Sequence, residues 1–382
     1  MSEAEQMPAR RPRRREADPA AAQMRPQGGI PQGGVRPSAG TPASPGQAQA
    51  PQAAQRAPKA QGQTPRINEE WFAHNFNNLV AAVSTAIVGK KHVIELAYTA
   101  LFSEGHLLLE DVPGTGKTAL ARALSRTIGG NTSRIQFTPD LLPADITGVN
   151  IYNQQQQKFE FHRGPIFSNI VLADEINRAS PKTQSALLEV MEEGQATVDG
   201  VQWAMPKPFM VIATQNPVEQ AGTYRLPEAQ LDRFIMKTSV GYPDTASTRQ
   251  IIEGRNVSTD TIESVITPSE VTTMAQMARQ VAIAPAIVDY ITRIIEATRD
   301  AAQTRLGSSV RGALALTNAA RTWALAHGRS FVIPDDIKTL AIPVLSHRLI
   351  LDPEAEFDGV TSDSIIGQII LDTPPPERGI DK

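Results

Sequence analysis

The sequence predicts an α/β domain built on a parallel sheet, followed by a smaller all-helical domain. Short apolar runs alternate with helix-length segments from residue 67 to residue 242, and one of these runs leads into a glycine-rich loop and then a helix. Near-continuous apolar strands separated by helices are typical of a parallel sheet that is covered on both faces. After about Pro243 the strand-like runs disappear and helical periodicity takes over.

Residues 1–66 have a different composition from the rest of the chain. They hold 11 of the 29 prolines and seven glycines but no aromatic residue, so they cannot bury enough apolar surface to offset the entropy of ordering. We expect a disordered tail. Its ten Lys and Arg against four Asp and Glu give it a charge of +6. The basic charge suits contact with anionic lipid or nucleic acid, or simply a solubility or recruitment role.

The remaining residues carry a net charge of -9, which does not favour a nucleic-acid partner. The chain has no cysteine, which excludes disulfides and thiolate metal sites. Its longest apolar runs are far shorter than the roughly 20 residues that cross a bilayer. We therefore expect no transmembrane segment and, by default, a cytoplasmic protein.

The elements follow in a regular order along the chain. We expect the α/β core at 67–242, the helical domain at 243–376 and a short tail at 377–382. The predicted strands are Leu107–Leu109, Arg134–Phe137, Ile170–Ala173, Met210–Thr214 and Lys237–Val240. The predicted helices of the second domain are Pro268–Gln280, Pro285–Gln303, Ser309–His327 and Pro334–Leu345.

The segment Asp111 to Thr118 is predicted to bind phosphate. Gly114 and Gly116 allow successive N–H groups to turn inward towards an anion, and the next helix adds the positive end of its dipole. Lys117 is then placed to reach the β and γ phosphates of a nucleotide, and the Thr118 hydroxyl to ligate Mg²⁺. Asp111 stands where the common pattern has glycine, so an ordinary glycine-rich turn is the alternative.

Polar side chains also end two of the predicted strands. Asp174 and Glu175 follow an apolar run 57 residues beyond Lys117, where Asp174 is suited to hold Mg²⁺ and Glu175 to polarise a water molecule. Asn216 ends the second of these runs and is suited to orient that water, although it could instead cap the turn at Pro217. Strands that end in solvated acids are common, so position relative to the loop carries the prediction.

Residues Leu226 to Phe234 form a predicted short helix that presents Arg233. This arginine could stabilise its own fold, but it could also be supplied to the phosphate of a neighbouring subunit. Two polar hairpins are expected at Ile151–Phe161 and Ala196–Met205, the second around Asp199-Gly200. They could contact substrate or simply be surface loops. The six histidines are scattered without the spacing of metal ligands.

Taken in order, these motifs resemble those of the MoxR family of AAA+ ATPases from Ile67 to Pro376. The resemblance is carried by Leu109 to Thr118, Ala173 to Ala179, Thr214 to Pro217 and Leu226 to Phe234. It implies an AAA+ αβα domain with a parallel sheet, a small helical lid domain, and ATP and Mg²⁺ as ligands. Asp111 is usual at its position in this family.

The resemblance also implies roles for individual residues. Val88 and Gly89 match the stretch that lines the adenine, and Arg311 matches a second sensor arginine, although Ser-Val-Arg replaces the usual Ser-Pro-Arg. The nucleotide loop would further include Pro113, Thr115 and Ala119. The catalytic set would be Lys117, Asp174, Glu175 and Asn216 from one subunit, Arg233 from the next, and Arg311 in the lid.

As a whole, the resemblance implies a hexameric ring that uses ATP hydrolysis for chaperone-like remodelling or assembly of a client protein, often with a partner that carries a von Willebrand factor A domain. Two other functions stay open. A nucleic-acid motor would use the same core but would need basic pore segments. A nucleotide-gated scaffold would bind ATP without hydrolysing it.

Overall fold

The computed structural model describes residues 68–112, 114–216, 223–255 and 257–376. The predicted tails at 1–66 and 377–382 lie outside these ranges, as do Pro113 and Pro217. In the described part the strands are β1 Leu107–Glu110, β2 Thr132–Gln136, β3 Gly148–Asn153, β4 Lys158–Arg163, β5 Ile170–Asp174, β6 Gln195–Val198, β7 Val201–Ala204, β8 Met210–Gln215, β9 Met236–Thr238, β10 Thr304–Leu306 and β11 Ile350–Leu351.

Helices connect and cover these strands. They are α1 Glu69–Ser84, α2 Lys91–Phe102, α3 Lys117–Thr127, α4 Pro143–Thr147, α5 Pro181–Glu193, α6 Glu228–Leu231, α7 Thr245–Ile252, α8 Pro268–Arg279, α9 Pro285–Asp300, α10 Val310–Ala326, α11 Pro334–Leu345, α12 Pro353–Phe357 and α13 Ser362–Asp372. No helix among the described residues is both long enough and apolar enough to cross a membrane.

Five of the strands form one parallel sheet in the order β2-β5-β8-β1-β9. The predicted parallel sheet is therefore confirmed. The ends of β9 differ from the prediction, which placed them at Lys237 and Val240. The strand stops at Thr238 because the N–H of Val240 donates to the Asp111 carboxylate at 2.6 Å instead of to a neighbouring strand.

Alternation of apolar side chains places both faces of the sheet in hydrophobic cores. Leu107 and Leu109 of β1 pack into a cluster that includes α1, α2, α3 and the helices of the C-terminal region. Leu108 packs on the opposite face, with α5 and the strand residues Val171 and Val211. Because β1 has helices on both faces, every one of its apolar residues is buried, as expected for a central strand.

The C-terminal region is a helical lid, and the four helices predicted there are present as α8 to α11. Helix α8 begins at a capping box formed by Thr267 and Glu270. Helix α9 ends at Asp300, before the predicted Gln303, because Thr304 starts the strand β10. Strand β10 pairs antiparallel with β11 and forms a two-stranded sheet that the helical periodicity did not predict.

Both predicted hairpins are confirmed. Strands β3 and β4 pair antiparallel, as do β6 and β7. Asp199 and Gly200 have φ angles of 50° and 79°, which suits a two-residue turn of the kind that matches strand twist. The hairpins contact each other, since the rings of Phe161 and Trp203 stack with centroids 4.5 Å apart.

Candidate active site

The glycine-rich loop joins the carboxyl end of β1 to α3. Gly114 and Gly116 have φ angles of 85° and 91°, a region that side chains rarely adopt, and α3 begins directly after Gly116. A Cβ atom added to either glycine would meet no atom of the described residues within 4 Å. The space above the loop is therefore open, and a phosphate group can approach the backbone and the N-terminus of α3.

Asp111, which departs from the common pattern of the loop, has a structural task. Its carboxylate is buried and accepts hydrogen bonds from the backbone N–H groups of Val240, at 2.6 Å, and Gly241, at 2.9 Å. Glycine could not make these bonds. The aspartate thus ties the start of the loop to the chain segment that follows β9.

Lys117 lies at the start of α3 and folds back over the loop. Its Nζ donates to the carbonyl oxygens of Asp111 and Val112, each at 3.2 Å. The neighbouring Thr118 is half-buried, and Ala119 packs against the core of the molecule. Thr115 is buried within the loop and hydrogen bonds to Val112. The bonds to the Asp111 and Val112 carbonyls use two of the three N–H donors of the Lys117 ammonium, so one donor is left for a phosphate.

The two predicted acids lie together at the carboxyl end of β5, and Thr214 orients both. The Thr214 hydroxyl donates to Asp174 Oδ1 at 2.6 Å and accepts from the backbone N–H of Glu175 at 2.8 Å. Glu175 has φ 57° and ψ 50°, a left-handed conformation that costs energy in a residue other than glycine. Such strain is frequent at functional sites and is consistent with the predicted role of Glu175.

Two residues of the edge strand β2 link these acids. Arg134 donates to Asp174 Oδ2, with Nη2 at 2.6 Å, and the same Nη2 donates to Gln136 Oε1 at 2.8 Å. Gln136 in turn donates to Glu175 Oε2 at 2.9 Å, which also accepts from Arg178 at 3.0 Å. Neither β2 residue was predicted from the sequence, although polar residues that alternate along an edge strand were a usable signal.

Asn216 directly follows β8 at the same edge of the sheet. It is buried, and with Glu110 and Lys237 it lines a polar cavity of about 610 Å³. Lys237 and Glu110 form an ion pair with a distance of 2.9 Å between Nζ and Oε2. The ends of β1, β5 and β8 therefore bring Lys117, Asp174, Glu175 and Asn216 to one edge of the sheet, as the sequence predicted for a parallel arrangement.

The predicted adenine segment lies beside the chain that follows β9. A Cβ atom on Gly89, whose φ is 75°, would approach within 2.3 Å of Ser247 Oγ, so the two segments are in close contact. Lys90 Nζ donates to the carbonyl oxygen of Tyr242 at 2.6 Å. The Tyr242 side chain is largely exposed. Val88 and Gly89 are thus connected to the glycine-rich loop, because the next residue, Lys90, bonds to Tyr242 and the neighbouring Gly241 bonds to Asp111. The sequence did not reveal this connection.

Arg233 and Arg311 lie at the opposite edge of the sheet and share one carboxylate. Glu192 accepts from Arg233 at 2.9 Å and from Arg311 at 2.6 Å. The hydrogen bond from Arg311, together with the charges of both arginines, holds the pKa of Glu192 below its ordinary value. Arg233 precedes β9, and the backbone N–H of Ile235 donates to the carbonyl of His106, before β1.

The strands β1 and β9 run parallel, so their amino ends lie on the side away from the loop. A strand of four residues spans about 13 Å. The structure therefore brings Arg311 to Arg233 and not to Lys117. The role of Arg311 as a second sensor arginine stays a prediction, and in this arrangement the N-terminus of α10 is anchored at the amino edge of the sheet, beside Arg233.

That anchor is a buried arginine of the lid. Arg348 donates to Asp232 Oδ1 at 2.7 Å and to the carbonyl of Phe234 at 2.7 Å, while Ser309 donates to Asp232 Oδ2 at 3.2 Å. Asp232 precedes Arg233, and Ser309 caps α10 two residues before Arg311. The lid thereby holds the residues on either side of Arg233, and it holds the start of α10 two residues before Arg311. Sequence reasoning missed Glu192 and Arg348 altogether.

Asp174 and Thr118 were the predicted ligands of Mg²⁺. Among the described residues, no group of three or more His, Asp or Glu side chains could hold a metal by itself. Mg²⁺ is commonly bound by one or two protein oxygens together with waters and the phosphates of a nucleotide. Asp174 offers a carboxylate of the kind that binds Mg²⁺, and in this structure that carboxylate is paired with Arg134.

Comparisons with known proteins agree with this geometry. A family described as ATPase family associated with various cellular activities (AAA) matches residues 106–236, and one described as AAA lid domain matches residues 296–369. A crystal structure of a candidate ATPase from Cytophaga hutchinsonii is similar with a TM-score of 0.74 and 38% identity, covering 80% of this chain and 96% of that one.

Curated relatives are similar over most of the chain. Chaperone MoxR1 of Mycobacterium tuberculosis is 40% identical over 80% of this chain and 83% of its own length. Protein MoxR of Methylorubrum extorquens is 30% identical over 72% and 87%, and an uncharacterized Bacillus subtilis protein, YeaC, is 49% identical over 76% and 92%. Together with the phosphate loop, the acid pair and the lid, these similarities mean that the chain belongs to the MoxR family of AAA+ ATPases.

Proposed function

We propose that the protein is a ring-forming ATPase that couples ATP binding and hydrolysis to remodelling or assembly of a partner protein complex. One observation carries the proposal. The groups suited to bind and cleave ATP lie at the carboxyl edge of the sheet, whereas Arg233 and Arg311 lie together at the amino edge on Glu192. A site that needs both sets can form only between copies of the chain.

In the proposed reaction, the backbone of the glycine-rich loop and Lys117 bind the phosphates, and Val88 and Gly89 lie against the base. Mg²⁺, held by Thr118 and Asp174 together with the nucleotide, would neutralise charge that develops on the phosphate oxygens. Glu175 accepts the proton of the attacking water, and Asn216 orients that water. The proton thus passes from water to a carboxylate oxygen of Glu175 as the bond to the γ phosphate is cleaved.

Arg233 completes the site from the neighbouring subunit, and we propose that Arg311 enters with it. Two cations on one surface would stabilise the charge of the transition state, and Glu192 holds them until a nucleotide-loaded neighbour arrives. A transferred arginine of this kind contributes about 10³ to 10⁵ in rate in other phosphoryl-transfer enzymes. We propose a hexamer as the assembly, because the family resemblance implies it.

The client and the place of action belong to the same proposal. We propose a protein client rather than nucleic acid, because a relative with 40% identity is named a chaperone and the chain beyond residue 66 has a charge of -9. The exposed rings of Tyr152 and Phe159, on the first hairpin, are suited to contact such a client. Cytoplasmic residence and a partner with a von Willebrand factor A domain are proposed from the family resemblance.

The catalytic assignment is tested with Glu175→Gln. We expect this variant to bind a fluorescent ATP analogue as the wild type does but to release phosphate at least about 100-fold more slowly, because the amide cannot accept a proton. Glu189→Gln, an exposed substitution on α5, is the control and should change neither property. Unchanged phosphate release by Glu175→Gln would refute the role of Glu175 as base.

The same assay distinguishes the proposed ATPase from a scaffold. If the protein were a scaffold, the wild type itself would bind the analogue but release no phosphate from ATP. A trapped Glu175→Gln protein should also retain its client in an affinity capture that uses ATP. Stimulation of phosphate release by DNA, lost at high salt, would instead favour a nucleic-acid motor.

A further inference from the structure

We propose that Arg134 is a positioning residue that occupies Asp174 in the nucleotide-free protein and must withdraw before this carboxylate is available to Mg²⁺. The inference rests on the proposed ATPase function and extends it to a residue of β2 that no motif includes. Its starting point is the contact itself. Arg134 places both Nε and Nη2 on the same oxygen, Asp174 Oδ2, at 3.2 and 2.6 Å.

Both carboxylate oxygens of Asp174 have partners while this pair persists. Its Oδ1 already accepts the Thr214 hydroxyl at 2.6 Å, and the residue is 7% exposed. A guanidinium group keeps its charge throughout the physiological pH range, so the pair is not released by deprotonation. Withdrawal of Arg134 is instead possible because its own side chain is 52% exposed and can move into solvent.

The withdrawal of Arg134 has a second consequence, for Gln136. The Nη2 atom of Arg134 contacts both Asp174 and Gln136, so the same group that pairs with Asp174 also fixes the amide oxygen of Gln136. Gln136 holds Glu175 Oε2 at 2.9 Å. When Arg134 leaves, Gln136 loses the contact that orients its amide. Arrival of the metal at Asp174 is thereby linked to how tightly the Glu175 side chain is held. The link is indirect, because Arg134 contacts Asp174 whereas Gln136 contacts Glu175.

The experiment compares nucleotide binding with and without metal. The dissociation constant of a fluorescent, non-hydrolysable ATP analogue is measured in excess Mg²⁺ and in excess EDTA, and the ratio of the EDTA value to the Mg²⁺ value is taken for each variant. In Arg134→Gln we expect this ratio to rise about three- to ten-fold above wild type. Without metal, the negative charge of Asp174 is no longer balanced by a guanidinium and repels the phosphates. With metal, no guanidinium competes with Mg²⁺ for Asp174.

Arg126→Gln is the matched control. Arg126 is 55% exposed and pairs with Asp260 at 3.7 Å, away from the two acids, so removal of its charge should leave the ratio within about twofold of wild type. Arg134→Lys should give a ratio between those of wild type and Arg134→Gln, because a single ammonium keeps the charge but lacks the fork that contacts Asp174 and Gln136 together.

Other outcomes overturn the inference. If Arg134→Gln weakens binding equally with and without Mg²⁺, Arg134 is a phosphate ligand, and if the ratio is unchanged or lower, Arg134 does not compete with the metal. If Arg134→Gln does not fold, the ratio of Arg134→Lys decides, and a value equal to wild type contradicts the proposal. Failure of the proposed function is distinguishable, because the wild-type protein itself would then bind no analogue in Mg²⁺ or, as a scaffold, would bind it but release no phosphate from ATP.

Discussion

Single side chains fix the geometry of this protein at points where backbone pairing stops. His106 is the clearest case. Its Nδ1 accepts from the backbone N–H of Val211 at 3.0 Å, so its Nε2 carries the proton that is donated to the carbonyl of Met191 at 3.0 Å. The ring therefore joins the start of β1 to β8 and α5. Burial lowers the pKa of His106 to about 4, against an ordinary value of 6.5.

This shift predicts acid sensitivity. A histidine whose folded-state pKa is lowered stabilises the protein fully above pH 6.5, and the contribution is lost as the pH falls towards 4, because the unfolded chain then binds more protons. Between pH 7.5 and pH 5 this loss is about 2 kcal/mol. Urea unfolding should show that His106→Gln, although less stable at pH 7.5, loses about that much less on acidification than the wild type.

The exposed His74 on α1 provides the control for this measurement, and His74→Gln should respond to acid as the wild type does. An equal loss of stability in His106→Gln and wild type would mean that the buried ring is not the source. His347, in the lid, is also buried, and burial followed by the charge of Arg348 lowers its pKa, so part of the acid response should persist in every variant.

Helix α10 has a constrained start, because Arg348 passes beside it. A Cβ atom on Gly312 would lie 2.1 Å from Ser308 Oγ and 2.9 Å from Arg348 Cδ. The absence of a side chain at this position thus lets the guanidinium of Arg348 reach Asp232 and the carbonyls before β9. The small residue serves packing between lid and core, and not backbone conformation.

Two alanine substitutions test this reason with opposite signs. Gly312→Ala should destabilise the protein by about 1 to 3 kcal/mol through overpacking. Gly367→Ala, in α13, should stabilise it by up to about 1 kcal/mol, since nothing lies within 4 Å of the new Cβ and alanine favours helix. Thermal unfolding measures both. If Gly312→Ala were neutral or stabilising, the close approach of Arg348 would not govern this packing.

At the scale of the whole molecule, the lid and the core behave as one piece at the amino edge of the sheet. Arg348 makes its hydrogen bonds from a side chain that is 2% exposed, and a single hydrophobic cluster runs from the sheet into the lid helices. Closure of the lid over the nucleotide of the same chain would break this anchor. In the proposed ring, changes at the boundary between subunits, where the arginine pair would meet the glycine-rich loop of the next subunit, would leave it intact.

A composite site makes a prediction about mixtures. Arg233→Ala and Glu175→Gln should each release phosphate at least about 100-fold more slowly than wild type when alone. When they are mixed and allowed to exchange subunits, part of the activity should return, because an Arg233→Ala loop can meet an intact arginine from Glu175→Gln. Phosphate release in the mixture measures this recovery. A mixture no more active than its components would contradict a site shared between subunits.

The sequence by itself determined the five strands of the parallel sheet, the four lid helices α8 to α11, the glycine-rich loop and the polar ends of the strands. These features are predictable because their causes lie within a few residues: apolar alternation, glycine at left-handed positions and capping side chains. Asp174, Glu175 and Asn216 could be assigned to one edge because parallel strands place their carboxyl ends together. That inference needs only the direction of the strands and no side-chain contact.

Only the tertiary structure decided which charges meet. Arg134 pairs with Asp174 across 40 residues of sequence, Arg348 with Asp232 across 116, and Arg311 with Glu192 across 119. A local pattern cannot encode such partners, because many exposed arginines and carboxylates are equally available along the chain. The position of Arg311 shows the difference: its motif gave it a role, but the packing of the lid on β9 placed it at the amino edge, beside Arg233.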